Sequence, residues 1–376
     1  MQKLMTLAAG GLALALFTTS ALATQNLAAP FDVKSVRAKT GKKDNKPFTC
    51  EAVPAVMRDL QMHTFYKEGD KTHSIVDKEA HAAYKKASKP ASQFEVGLAH
   101  MGNRYVKSNP PRPDVAACGL DWMAAWAEGG ALLGEVNKNG EYTRKWLLGS
   151  IASGYMQIRD EPQLDPAKRQ KVENWIREVA TRVKSDYSRD TELKSRQNNH
   201  LYWAAWGVGA AGLALNDREF LDWGVSRARQ GIAQINDKGA LPLELARGRR
   251  AFLYHNFAAM PLFLFAHAAE RNGIDLFSEN NQGLKRLGEL CLKNIGDPAF
   301  FAEATQEEQD TARAATSSDL GWVEIYRKHY ADPKADAALK TFRPMKQSRF
   351  GGNITLLYGE MLVASPKKDK KEEKKG

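Results

Sequence analysis

Two short stretches hold side chains that could do chemistry. The first, Arg196-Gln197-Asn198-Asn199-His200-Leu201-Tyr202-Trp203-Ala204-Ala205-Trp206-Gly207, sets amides, an imidazole, a phenol and two indoles at the head of a run that continues GVGAAGLAL. A helix that is apolar all round is central to its fold. A polar first turn on such a helix must face a cavity or find partners, because buried polar groups are costly unless satisfied. Asn199 and His200 are therefore expected at the floor of a cleft. The alternative is that Asn199 caps the helix and His200 is a satisfied core histidine. The second stretch, LPLELARGRRAFLYHNF over 241–257, crowds Arg247, Arg249 and Arg250 against Tyr254, His255 and Asn256. Guanidinium groups beside a phenol favour its phenolate and lower its pKa from about 10, which makes Tyr254 a candidate acid–base group. The alternative is a solvated basic turn leading into an aromatic core helix.

The elements that must position these groups read as helices. Asp165-Pro166 offers an N-cap and a first-turn proline, and Val172, Trp175, Ile176, Val179 and Val183 follow at helical spacing. Further helices are expected near 75–87, 91–106, 119–134, 143–158, 218–235, 256–270 and 283–295. Loops are expected between them, as at Asn137-Lys138-Asn139-Gly140 and Asn236-Asp237-Lys238-Gly239. Period-two alternation is scarce. Helices joined by short loops pack as pairs, in a bundle or a closed α/α toroid. No repeat of fixed period appears, which disfavours a solenoid.

Composition narrows the setting. The first 23 residues, MQKLMTLAAGGLALALFTTSALA, have the charge, apolar run and small-residue site of a secretory signal peptide, with cleavage expected before Thr24. The apolar run is short for a membrane span, so an exported protein without membrane insertion is expected. Three cysteines suit an oxidising space. Cys50 and Cys118 sit in loop-like contexts, while Cys291 shares a helical face with Leu284 and Leu287. A Cys50–Cys118 bridge with a buried thiol at Cys291 is the expected pairing, other pairings remaining open, and zinc-type cysteine spacing is absent. The net charge of +11 points, after export, to acidic polysaccharide or membrane surfaces rather than nucleic acid. The tail Lys367–Lys375 is a mixed charge run of the kind that stays disordered.

The two chemical stretches also carry a resemblance. NNHLYW followed by LPLELARGRRAFLYHNFAAMPL closely resembles the alginate lyases of polysaccharide lyase family 5, the periplasmic poly(mannuronate) lyases. CGLDWMAAWAEGGALL, YTRKWLLGSIASGY and SRFGGNIT agree with it. The resemblance covers roughly residues 48–356, between an N-terminal extension at 24–47 and a tail at 357–376. It implies an all-α fold, an incomplete α/α toroid with a deep groove, and β-elimination of uronate polymers by a periplasmic monomer without metal or other cofactor. Asn199, His200, Arg247 and Tyr254 fall on the family's catalytic positions. Trp203 and Arg349 fall on substrate-binding positions. Tyr66 falls in the segment, about 60–80, that forms a mobile lid in relatives.

The implied reaction removes the C5 proton of a uronate and breaks the C4–O bond. Donors must absorb the charge that develops on the carboxylate. Arg247 offers a bidentate fork, Asn199 amide donors, and His200 a donor or a base. Tyr254 can take the C5 proton and return one to O4. One residue serves both ends in β-mannuronate, where the two groups share a face, whereas guluronate would need a second base. Glucuronate differs from mannuronate only at C2, so a glucuronan-type activity is an alternative. Trp203 and Trp206 suit stacking on sugar faces. Two rival classes remain. A glycoside hydrolase would need two carboxylic acids across the groove, with Glu128 and Glu244 as candidates. A non-catalytic polymer-binding component of a secretion complex would need no catalytic set.

Overall fold

The computed structural model describes residues 26–310 and 316–360. The expected signal peptide and the lysine-rich run at 367–375 lie outside these residues. The helices are α1 (Val33–Thr40), α2 (Lys78–Ala87), α3 (Lys89–Lys107), α4 (Pro113–Glu128), α5 (Lys138–Ile158), α6 (Pro166–Asp186), α7 (Asn199–Leu215) and α8 (Arg218–Ala233). They continue with α9 (Pro242–Leu245), α10 (Ala251–Glu270), α11 (Glu279–Lys293), α12 (Ala299–Thr305), α13 (Val323–His329), α14 (Pro333–Phe342) and α15 (Ile354–Tyr358). Consecutive helices pair, α3 with α4, α5 with α6 and α7 with α8, in the α/α toroid that the sequence led us to expect. Among the described residues no helix is long and apolar enough to cross a membrane.

Local chemistry sets the boundaries. Asp165 caps α6 by accepting from the backbone N–H groups of Ala167 and Lys168, with Pro166 in the first turn. Asn137 caps α5 by accepting from Gly140 N–H. The stretch expected as a loop at 137–140 is therefore the first turn of a helix, because its asparagine caps rather than breaks. Cys118 corrects another expectation: it lies within α4, buried, and still pairs with Cys50 at a Cα–Cα distance of 5.6 Å. Cys291 is buried and free. The residues expected as an N-terminal extension carry α1, which packs on α3. Leu357 and Tyr358, expected in the tail, are buried in the core.

The core is centred on α7. Leu201 through Ala214 of this helix are buried, and it packs against α5, α6, α8 and α10. Such an element can only be satisfied inside a ring of neighbours. Its partner α10 contains Pro261, which cannot donate to the carbonyl four residues back. That carbonyl, of Phe257, instead accepts the indole N–H of Trp203 at 3.1 Å. Trp203 is 1% exposed. The indole thus repairs a hydrogen-bond ladder in the core, which corrects the expectation that it stacks on a sugar. Trp206 is fully buried in the same way, its Nε1–H donating to the Arg349 carbonyl at 2.7 Å.

A short antiparallel ribbon, Lys346 opposite Asn353 and Gln347 opposite Gly352, carries Arg349 at its tip. Gly351 and Gly352 hold φ of 91° and 97°, a region that only glycine enters cheaply. A Cβ on Gly351 would also lie 2.7 Å from the Gln157 amide. The ribbon is thereby pinned to α5.

Candidate active site

The two stretches, far apart in sequence, meet at the start of α7 and α10. Asn198, not Asn199, is the N-cap of α7, accepting from His200 N–H at 3.0 Å. Asn199 is fully buried, and both its backbone N–H and its side-chain Nδ2 donate to the Glu244 carboxylate at 2.7–3.1 Å. An ionised carboxylate can only accept, so the amide orientation is set by Glu244. The donors that the sequence led us to expect for a substrate are held by Glu244, and the Asn199 Oδ1 is left unpartnered. Glu244 is itself fully buried at the start of the turn leading to Arg247. Glu128 is exposed at the end of α4 and pairs with Lys171. The two carboxylates therefore do not face each other as a hydrolase would require.

His200 is half-buried and its ring lies flat on Tyr142, with centroids 3.8 Å apart. Its Nδ1 is 3.0 Å from the Nζ of Lys145. Lys145 is fully buried, 4.4 Å from the ring centroids of both Tyr142 and Trp146. Burial pushes its pKa well below the ordinary lysine value, and Arg349 and Arg196 add to the effect. Burial, then Lys145 and Arg247, likewise hold His200 well below its usual value, so the ring is neutral at pH 7. Sequence reasoning missed Lys145 and Tyr142. They sit one helical face away on α5, and only the packing of α5 on α7 brings them under His200.

Arg247 and Tyr254 form the other wall. The Arg247 guanidinium lies over the Tyr254 ring, 3.5 Å from its centroid. Its Nε and Nη2 donate to the Thr72 and His73 carbonyls, each at 2.8 Å. Those carbonyls belong to the segment expected as a lid. Asp70 organises that segment, accepting from the backbone of Thr72, Ser74 and Ile75. Tyr66, in the same segment, hydrogen-bonds Tyr254 hydroxyl to hydroxyl, and Arg250 donates to Tyr66 Oη at 3.3 Å. Residues 66–73 thus lie across Arg247 and Tyr254.

The electrostatics of Tyr254 correct a second expectation. Burial raises its pKa well above 10, outweighing the downward pull of Arg247. In this closed arrangement Tyr254 is a phenol. Of its sequence neighbours, Arg249 is exposed and turned outward, and His255 is a buried core residue. The His255 Nε2 accepts from Leu241 N–H and its Nδ1–H donates to the Ala251 carbonyl. Asn256 accepts from the Trp322 indole. His255 and Asn256 therefore belong to an aromatic core helix, as the alternative reading of this stretch had it, next in sequence to the half-buried Tyr254.

Arg349 approaches from the ribbon. Its guanidinium lies 4.3 Å from the Trp146 centroid and 5.2 Å from that of Trp203, with Nε unpartnered. Trp146 is half-buried, 6.0 Å from His200 and 6.2 Å from Phe257, which in turn meets Tyr254 at 6.1 Å. Its indole Nε1 has no partner. Trp146 is therefore the indole placed at the surface of the site, in the position the sequence suggested for Trp203. His200, Trp146, Phe257, Tyr254, Arg247 and Arg349 form one contiguous set with an excess of positive charge.

The chain and its fold have known counterparts. Residues 61–301 match the sequence model of the family described as alginate lyase. The chain is 34% identical over 354 residues to an alginate lyase of Pseudomonas fluorescens, covering 92% of this chain and 94% of that protein. It is 36% identical over 337 residues to an alginate lyase of Azotobacter vinelandii, covering 88% and 87%. Among solved structures it is similar to alginate lyase A1-III of Sphingomonas species A1, with a TM-score of 0.76, 27% identity, and coverage of 89% of this chain and 98% of that one. A histidine-to-alanine variant of A1-III complexed with a tetrasaccharide superposes with a TM-score of 0.78 at 27% identity, covering 90% and 98%. With the family model spanning most of the chain and both relatives covered nearly end to end, this protein belongs to the alginate lyase family.

Proposed function

We propose that the enzyme is a poly-β-D-mannuronate lyase, acting within the chain of the polymer and leaving a C4–C5 unsaturated uronate at the new non-reducing end. The observation that carries this reading is the pairing of Lys145 with His200. We read the Lys145 amine as the donor to Nδ1, which leaves the proton of the neutral imidazole on Nε2. His200 then meets the substrate as a donor, and Tyr254 is the acid–base residue. Once substrate displaces the segment over it, Tyr254 loses its phenolic proton to solvent under the pull of Arg247; the phenolate oxygen takes the C5 proton, the C5–H electrons form the C4=C5 bond, the C4–O bond breaks, and the proton just taken passes to O4. One residue serves both ends only where C5–H and O4 share a face, as in mannuronate.

Two opposing influences on Tyr254 suit this double duty. Arg247 over the ring favours the phenolate needed to take a proton, while burial favours the phenol needed to give one. The same Arg247 grips the substrate carboxylate once its bonds to the Thr72 and His73 carbonyls are released, so the segment around 66–73 opens and closes with each encounter. Arg349, backed by Trp146, holds a neighbouring uronate carboxylate, and positive charge from Arg247, Arg349 and Lys138 gathers the polyanion. The protein acts as a monomer after export to the periplasm, a setting that suits its disulfide. A panel of polymannuronate, polyguluronate, glucuronan and hyaluronan, read by absorbance of the unsaturated product, tests the reading. Polymannuronate is expected to be cut fastest, with glucuronan next because its C4/C5 relation is the same. Faster cleavage of polyguluronate would overturn it. Early release of mixed oligosaccharides, rather than single residues, is the expected sign of internal cleavage.

A further inference from the structure

At the opposite end of α10 from Tyr254, three side chains converge. His267 and Glu270 occupy the last turn of α10, and His329 ends α13. One ligand-type atom from each lies within 4.8 Å of the others. The Glu270 Oε2 is 3.8 Å from His267 Nδ1 and 3.5 Å from His329 Nε2. Both of these ring nitrogens are buried and have no hydrogen-bond partner. Orphaned buried nitrogens are rare, and each asks for an explanation.

We propose that His267, Glu270 and His329 bind a divalent transition ion of the zinc class, with solvent completing the coordination. Ligands about 2.0–2.2 Å from a tetrahedral zinc lie roughly 3.3 Å from one another. The two measured separations are within about 0.5 Å of that edge, inside the reach of small side-chain adjustments. Two imidazoles and one carboxylate select zinc, copper or nickel over calcium or magnesium, which prefer oxygen ligands.

The surroundings prepare His267 for this role. Its Nδ1 is buried, unpartnered and faces Glu270. His329 is held by its ring, stacked on Phe277 with centroids 3.7 Å apart. Lys328 and Arg271 oppose a cation here, while Asp275 and Glu360 act on His329 in the opposite sense. Thirteen residues of α10 separate His267 from Tyr254, about 20 Å along the helix. The ion is therefore not part of the elimination. It joins the end of α10 to the end of α13.

Stripping the mature protein with a chelator, then titrating it with Zn²⁺ in equilibrium dialysis and with Co²⁺ by visible absorption, tests the assignment. One equivalent per chain is expected, with a tetrahedral-type cobalt spectrum and a rise in Tm on zinc addition. Glu270→Gln removes an exposed carboxylate and His329→Gln a half-buried ring, so both variants should fold. Each should weaken binding by about tenfold to a hundredfold, the range seen when even an outer partner of a metal ligand is lost, and each should abolish the Tm rise. His200→Ala should bind zinc like the parent. Absence of one-equivalent binding in the parent protein overturns the proposal. So does binding that survives both Glu270→Gln and His329→Gln, or binding that is lost in His200→Ala.

Discussion

Replacing Lys145 with methionine isolates the part of the site that decides how His200 works. The amine is fully buried, and the hydrogen bond it makes goes to His200 Nδ1 at 3.0 Å. Burial and the nearby Arg349 and Arg196 already disfavour its charged form. Exchanging it for an apolar chain of similar length therefore removes a desolvation cost, and Tm should stay level or rise. Catalysis should respond differently. Without its partner, Nδ1 no longer fixes the tautomer, and the ring loses one hydrogen bond worth about 0.5–1.5 kcal/mol, or up to about 3 if charged. At about 1.4 kcal/mol per tenfold in rate, kcat on polymannuronate should fall between roughly threefold and a hundredfold, with KM little changed. The cycle Lys145→Met, His200→Ala and the double variant settles whether the effect runs through the histidine. The double variant should be no slower than His200→Ala alone. A wild-type kcat in Lys145→Met, or losses that simply multiply in the double variant, would refute the reasoning.

Three further outcomes follow from single contacts. Trp203→Phe leaves the Phe257 carbonyl, already without its Pro261 donor, buried and unpaired; stability in a denaturant titration should drop by about 1–3 kcal/mol while kcat of the folded enzyme survives, and a large kcat loss at unchanged stability would instead restore a stacking role. His255 is held neutral with its pKa lowered to about 4, so the unfolded chain takes up a proton first as pH falls below about 6.5. Stability should therefore decline between pH 6.5 and 4, by roughly 3 kcal/mol from this group, and an unfolding midpoint flat across that window would contradict it. Reducing Cys50–Cys118, which spans 68 residues, should cost about 4 kcal/mol in the chain-entropy account, and an unchanged Tm after reduction would show that the bridge constrains little.

Much of this architecture was legible in the residues. An apolar run of this length could only be a central helix, and α7 is that helix. Asp165 and Pro166 marked the start of α6 because capping chemistry is local. The meeting of His200 with Arg247 and Tyr254 followed from two stretches that shared a resemblance. What failed did so where tertiary contacts override residue type. Trp203 looked like a sugar platform, but the proline in α10 created a carbonyl that needed its N–H. Asn199 looked like a donor to substrate, but Glu244, 45 residues on, takes its donors. The arginines near Tyr254 suggested a low pKa, yet burial beneath Tyr66 outweighs them. Lys145 carried no signal of its own, since a lysine in a helix ordinarily faces water. The His267–Glu270–His329 cluster escaped notice because its third member lies on a different helix.

The central claim is that Tyr254 is both base and acid in β-elimination. Tyr254→Phe removes only the phenolic oxygen and the hydrogen bond to Tyr66, leaving the stack on Arg247 in place. Its kcat on polymannuronate, followed by unsaturated-uronate absorbance with circular dichroism to confirm folding, is the most direct measurement. A general acid–base group is worth about 10²–10⁴-fold, so a residue used at both steps should cost about 10⁴-fold or more, with His200→Ala retaining a higher rate than Tyr254→Phe. A folded Tyr254→Phe that still cuts polymannuronate within tenfold of the parent rate would contradict the mechanism.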